Sequence, residues 1–418
     1  MKKYIYLVVF LFVISVGYSQ SHRNCGTMAS LEYLQKQNPL LKNKMALQEV
    51  QIQKWIAKHG RESQKSIITI PVVVHVIYNT NAQNISDAQI QSQIDVLNAD
   101  YRRLNADTSN TPSLFDTLVA DVEIEFCFAH QDPNGNWTNG VTRTSTTKTS
   151  FDLSQNDAKY TAQGGHDVWD RDKYFNIWVV PEIKDGGMSG ILGYAQFPGG
   201  PAATDGVVIG YDYFGTMGTV HYPYNKGRTL THETGHWLNL YHIWGDDGNS
   251  CSGSDQVADT PNQGSENYGC PSFPHPSCNN VSDMFMNYMD YTYDACMNMF
   301  SKGQKQRMLA AMNMSRASLI TSGMCQVVSV ENAKVQANIK IYPNPSKGNI
   351  TLDFGGENIK GVVNIRVYNS VGQLVYSESC QDARALKNIE LTNAVDGIYM
   401  VHIDSEHFNV VRKIEIHR

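Results

Sequence analysis

The chain runs to 418 residues, too long for one ordinary domain and long enough to bury more than one core. Hydrophobic residues make up 41% and charged residues 18%, the balance of a folded, water-soluble protein and not of a disordered one. A formal net charge of −6 leaves no basic surface for nucleic acid and argues against that class of partner.

Lys2 and Lys3 precede an apolar run from Tyr4 to Val16, and small and polar residues follow from Gly17 to Gln20. That is the layout of a secretory signal peptide over 1–20, with an apolar run too short to span a bilayer comfortably. No later stretch is apolar enough for a stable membrane span. Export would carry the 8 cysteines into an oxidising compartment, where they become candidates for disulfides. Residues 21–66 read as a polar leader, weakly helical through Leu31, Leu34 and Leu47 to Trp55. It ends in KHGRESQKS, a basic, flexible stretch of the kind proteases nick.

A folded unit over 67–328 begins with IITIPVVVHVIY (67–78), whose β-branched density predicts a buried strand. Ser86 and Gln89 predict a capping box ahead of a helix whose apolar face carries Ile90, Ile94, Leu97, Tyr101 and Leu104. VEIEFCFAH (122–130), YFNIWVV (174–180) and DGVVIGYDYF (205–214) predict further strands. Strand, helix, several strands and a second helix make an α/β domain with a twisted mixed sheet. From 335 to 418 the composition shifts to short alternating runs divided by Gly, Asn and Asp turns, which predicts a small all-β sandwich.

Chemistry concentrates in HETGHWLNLYH (232–242). His232 and His236 lie four apart and so project from one helical face, half of a tetrahedral zinc shell. Glu233 is placed to reach a water on that metal. His242 joins only if the chain turns after His236, because six helical positions would carry it off the face. Three histidines without a fourth ligand match a catalytic zinc, and a structural zinc would recruit cysteines, of which the motif has none.

The stretch resembles the metzincin motif His-Glu-x-x-His-x-x-Gly-x-x-His, above all in its pappalysin branch. Asn239 stands where the family has glycine, and Asn next best tolerates the left-handed turn required. The resemblance extends to NYMDYTYDACMNMF (287–300), similar to the methionine turn, with Met289 as its methionine and Tyr291 as the tyrosine that stabilises an oxyanion. Cysteines 251, 270, 278 and 296 permit three pairings by themselves. The resemblance implies Cys251–Cys278 and Cys270–Cys296. GILGYAQFP (190–198) resembles the rim strand on which extended substrates lie. In SDQVADTPNQ (254–263) the resemblance implies calcium, with Asp255, Asp259, Thr260, Gln263 and the Val257 carbonyl as oxygen donors.

The implied activity is that of a secreted zinc endopeptidase, with Glu233 as general base and proteins or peptides as substrates. Cys25, in RNCGTM, is expected to hold the zinc as a cysteine switch and keep a precursor latent, with activation by cleavage beside Arg61. Asp294 is the candidate acid for a preference for basic residues beside the scissile bond. IYPNPSKGNITLDF, VYNSVGQLVYS and DGIYMVHI resemble a type IX secretion C-terminal sorting domain, which implies that machinery as partner and a secreted or cell-surface location. The alternative reading is an exported, inactive metzincin-like binding protein; the intact Glu233 weighs against it.

Overall fold

The computed structural model describes residues 22–60, 66–326 and 339–418, apart from 360–361, 371, 382–383, 393 and 406–408. The expected signal peptide at 1–20 and the expected cleavage stretch at 61–65 lie outside the described residues.

Two leader helices come first, α1 (Thr27–Gln37) and α2 (Leu40–His59). They part at Asn38–Pro39, since proline disfavours the helical conformation in the residue before it. Leu34, Leu41 and Ile52 are buried, whereas Leu47 of the expected apolar pattern is exposed.

β1 (Ile68–Tyr78) is buried over almost its whole length, which is why its β-branched run lacks alternation. α3 (Asp87–Tyr101) is capped by Ser86, whose hydroxyl accepts from the Gln89 N–H at 3.2 Å. The expected return arm of the capping box does not form. Gln89 Oε1 accepts instead from the Thr219 N–H at 3.2 Å, while Nε2 donates to the Phe214 carbonyl and Thr219 Oγ1, both at 2.8 Å, trading a local contact for tertiary ones. The helix also stops before Leu104, which is 73% exposed; Arg103, at φ 50°, has already turned the chain aside.

The strands that follow are β2 (Ile124–Phe128), β3 (Val141–Ser145), β4 (Phe151–Asp152), β5 (Phe175–Val180), β6 (Ile183–Asp185), β7 (Met188–Ile191), β8 (Gly193–Ala195) and β9 (Val207–Gly210). The main sheet runs β2-β1-β5-β9-β8, with β3 beside β1 past the end of β2. All its pairs are parallel except β8 on β9, so the mixed sheet has an antiparallel edge. β4, β6 and β7 make a small side sheet. α4 (Arg228–Trp237) and α5 (Lys302–Ser315) share one core with α3 and β1, built on Val72, Val74, Ile94, Leu97, Leu230, Trp237 and Met308. Burial of each large side chain there contributes about 1.5–3 kcal/mol. A disulfide between Cys127 in β2 and Cys325 closes this unit across a sequence separation of 198.

The C-terminal strands are β10 (Lys340–Tyr342), β11 (Asn349–Asn358), β12 (Val362–Asn369), β13 (Leu374–Gln381), β14 (Arg384–Glu390), β15 (Gly397–Ser405) and β16 (Asn409–Ile416). They form antiparallel sheets β10-β11-β14 and β13-β12-β15-β16 around a common core of Leu352, Phe354, Ile365, Ile389, Val401 and Ile414. Alternation along β12 and β15 puts every second side chain into that core.

Candidate active site

α4 follows Gly227, whose φ of 74° suits glycine, and Asp294 serves its first turn. Asp294 Oδ2 accepts from the N–H of Lys226 at 2.8 Å and of Arg228 at 3.3 Å, setting a carboxylate at the positive end of the helix. His232 and His236 point from one face. The chain leaves the helix and Asn239, at φ 75°, swings it round so that His242 returns.

The three Nε2 atoms converge: 3.2 Å separates those of His232 and His236, and 3.1 Å those of His236 and His242. Each Nδ1 faces an acceptor: the Tyr288 carbonyl at 2.7 Å, the Leu240 carbonyl at 2.7 Å, and Asp246 Oδ1 at 2.6 Å. These acceptors hold the ring protons on Nδ1, so the Nε2 lone pairs face one another. Burial, and then the neighbouring histidines, push His232 well below the usual imidazole range, and His236 likewise. Converging neutral imidazoles repel without a cation between them, and they are the donor set Zn²⁺ takes. Cys25 Sγ completes the group, whose ligand atoms all lie within 4.8 Å of one another.

Met289 lies under α4, its Sδ 2.5 Å from where a Cβ on Gly235 would stand, so a side chain at Gly235 would have to displace the Met289 thioether. The Tyr291 ring is 5.0 Å from that of His242, and its hydroxyl accepts from the Cys25 N–H at 3.3 Å. Burial pushes Glu233 up to about 7, against hydrogen bonds from Thr27 and Cys25.

The leader crosses this site as a short strand. The Leu192 N–H donates to the Asn24 carbonyl and the Gly26 N–H to the Gly193 carbonyl, both at 2.9 Å, with Cys25 bridging Gly193 in parallel. Thr27 Oγ1 donates to Glu233 at 2.8 Å and accepts from the Ala195 N–H at 2.8 Å. Buried Arg23 puts NH2 2.6 Å from Asp294 Oδ1, with Thr292 and Thr229 as further partners and its guanidinium 4.9 Å from the Tyr224 ring centre. Asp294 is therefore buried and faces a guanidinium.

Of the expected calcium donors, Asp255, Val257 and Thr260 come together. Thr260 Oγ1 lies 2.8 Å from Asp255 Oδ2 and 3.0 Å from the Val257 carbonyl. Asp259 turns away to the start of α5, accepting from Ser301 Oγ at 2.6 Å and the Gly303 N–H at 2.8 Å. Gln263 donates to Asp290 at 2.8 Å, and its buried Oε1 has no hydrogen-bond partner among the described residues. Disulfides Cys251–Cys278 and Cys270–Cys296 staple the loops after α4.

Arg23, Thr27 and Asp246 escaped the sequence reading. RNCGTM carries Arg23 and Thr27 two places either side of Cys25, the spacing of one strand face, and this was the available signal. Nothing local marks Asp246 as the partner of His242.

Residues 159–313 match the family described as pregnancy-associated plasma protein-A, and residues 340–417 match the secretion system C-terminal sorting domain. An extracellular metalloprotease of Arthroderma benhamiae is 32% identical over 256 residues, spanning 60% of this chain and 79% of its own. Mature mirolysin of Tannerella forsythia, solved with a cleaved peptide, is 55% identical with a TM-score of 0.59, over 62% of this chain and 97% of its own. A promirolysin mutant from the same organism is 49% identical with a TM-score of 0.66, over 72% and 98%. The chain belongs to the pappalysin family of metzincin metalloendopeptidases. Its sorting domain directs it to secretion or the cell surface, and family membership sets aside the reading as an inactive binding protein. Among the described residues, no helix is long and apolar enough to cross a membrane.

Proposed function

We propose that the protein is a latent zinc endopeptidase whose leader occupies its own cleft and which, once freed, hydrolyses proteins beside basic residues. The observation that carries this reading is the path of Arg23, Cys25 and Thr27 across Asp294, the three histidines and Glu233.

His232, His236 and His242 would hold the zinc, with Cys25 as a fourth ligand in the precursor. When bound, Zn²⁺ supplies Lewis acidity toward a scissile carbonyl and activates water near neutral pH. Glu233 takes the proton of the attacking water and passes it to the leaving amine. The Tyr291 hydroxyl donates to the oxygen that gains charge. The Gly193 carbonyl and the N–H groups of Leu192 and Ala195, taken up by the leader in the precursor, align an extended substrate on β8. Asp294 commits one oxygen to α4 and presents the other to a guanidinium or ammonium group, the source of the basic preference. Calcium would sit among Asp255, Val257, Thr260 and Gln263; burial pushes Asp255 up to about 7, and a cation there would hold it ionised. Cleavage at 61–65 would release the leader.

Comparison of wild type with Glu233→Ala tests the whole reading. Wild type sheds the leader, cleaves Arg and Lys peptides faster than Leu peptides, and stops when chelated. The variant retains both leader and zinc and loses activity by about 10²–10⁴-fold. Undiminished casein hydrolysis by the variant, or fastest cleavage at Leu, would sink the mechanism or the preference respectively.

A further inference from the structure

Arg307, on α5, is fully buried; its fork hydrogen-bonds the carboxylate of Glu49 on the leader helix α2, and the Asp255 carboxyl lies within its electrostatic reach. Its NH1 and NH2 donate to the two oxygens of Glu49 at 2.7 and 2.6 Å, the paired geometry in which guanidinium binds a carboxylate. Burial alone would raise the Glu49 carboxyl, but Arg307 and a hydrogen bond from Gln53 hold it below its ordinary value. The pairing across α2 and α5 is a contact that leader removal must break.

What remains after removal is an organised cation. Arg307 Nε donates to the Asn239 carbonyl at 2.6 Å, and its guanidinium lies 5.1 Å from the Tyr241 ring centre, so catalytic-domain groups hold its stem in place. From there a line of rings leads back to the metal ligands: Tyr241 to Phe197 at 5.0 Å, and Phe197 to His236 at 5.5 Å. Leader side chains Leu31, Leu34, Leu41 and Met45 cover the strip at Ala195–Phe197. Asp294 binds the N–H groups at the start of α4 and Arg307 the Asn239 carbonyl just past its end, so the two groups stand at opposite ends of the helix that carries His232 and His236.

We propose that Arg307 is a carboxylate-binding subsite of the mature enzyme, filled by Glu49 in the precursor, that selects substrates with an acidic side chain on the side of the scissile bond opposite the basic residue. The inference rests on the peptidase reading above. The three ring contacts correspond to about three to five residues of extended peptide at ~3.4 Å each. Freed of Glu49, the fork keeps its shape but loses its paired carboxylate, with Asp255 acting on it only at longer range, and a substrate Asp or Glu restores both hydrogen bonds.

The test uses mature wild-type enzyme and peptides with Arg fixed beside the scissile bond, in which Glu or Gln is walked along the opposite flank. At one register Glu lowers KM by about five- to tenfold relative to Gln, with kcat within about twofold, and the gain shrinks in 0.5 M salt. The same substitution on the Arg flank has no such effect. Because the peptide varies and the enzyme does not, folding is not at issue. Equal kcat/KM for Glu and Gln at every register, with all peptides cleaved and cleavage blocked by chelator, overturns the subsite. If no peptide is cleaved at all, the peptidase reading falls and takes the subsite with it. In the full-length precursor, Glu49→Gln shortens the lag before activation several-fold. An unchanged lag overturns the masking.

Discussion

Asn239 shows how far one residue reaches. Its φ of 75° turns the chain that delivers His242, and its carbonyl is the acceptor for Arg307 Nε. The substitution of Asn for the family glycine thus keeps the bend. Asp246 acts one step behind His242, accepting from Nδ1 at 2.6 Å and so aiming Nε2 at the metal position. Asp246→Ala leaves that ring free to rotate and to take the other tautomer. Zinc affinity measured by competition with a chelator is expected to fall about 10–100-fold while the circular dichroism spectrum is kept. Unchanged affinity would show that Trp244, stacked at 4.3 Å, orients the ring alone.

Among the elements, the loop from Ser254 to Gln263 couples two jobs. Asp255, Val257 and Thr260 gather oxygens, while Asp259 anchors the loop to the first turn of α5. Calcium binding there would stiffen the loop and favour the native state by mass action. Thermal unfolding should move up by several degrees with millimolar calcium and fall back with a calcium-selective chelator. In Asp255→Asn the calcium-dependent part should shrink or vanish; a flat response in wild type would remove the site. β1, α3 and α4 were legible because long periodic runs and the Ser86 cap are local signals. The capping-box arm at Gln89 and the extension of α3 to Leu104 failed because the distant Thr219 N–H takes the Gln89 side-chain oxygen and a left-handed residue ends the helix.

For the whole molecule, a buried charge behind the sheet sets a pH dependence. Lys159 is sealed between the rings of Trp178, at 5.4 Å, and Tyr194, at 4.9 Å, and donates to the Thr204 carbonyl at 2.7 Å. Burial lowers it to about 7, against the opposing pull of Asp205. Between pH 7 and the ordinary lysine range near 10.5, the unfolded chain binds a proton that the folded chain does not. Stability from this group therefore rises with pH across that window, by on the order of a few kcal/mol, and the full penalty applies below pH 7. Lys159→Met should flatten this rise in denaturant midpoints measured from pH 7 to 10. A variant with an unchanged slope would place the ammonium in contact with water.

The sequence by itself pointed to the chemistry: two histidines at helical spacing with a glutamate between them, and a third histidine past a turn residue, read as a zinc peptidase, since ligand type and spacing are local properties of the chain. It also carried the order of an α/β unit followed by an all-β unit, since hydrophobic period and turn composition are local too. Only the tertiary structure decided which groups face one another across hundreds of residues. Arg23 on Asp294, Glu49 on Arg307, Asp246 behind His242 and Cys127 with Cys325 are partnerships without a common period. Such pairs are selected by the packing of whole elements and the low dielectric between them, and no stretch of chain carries that information alone.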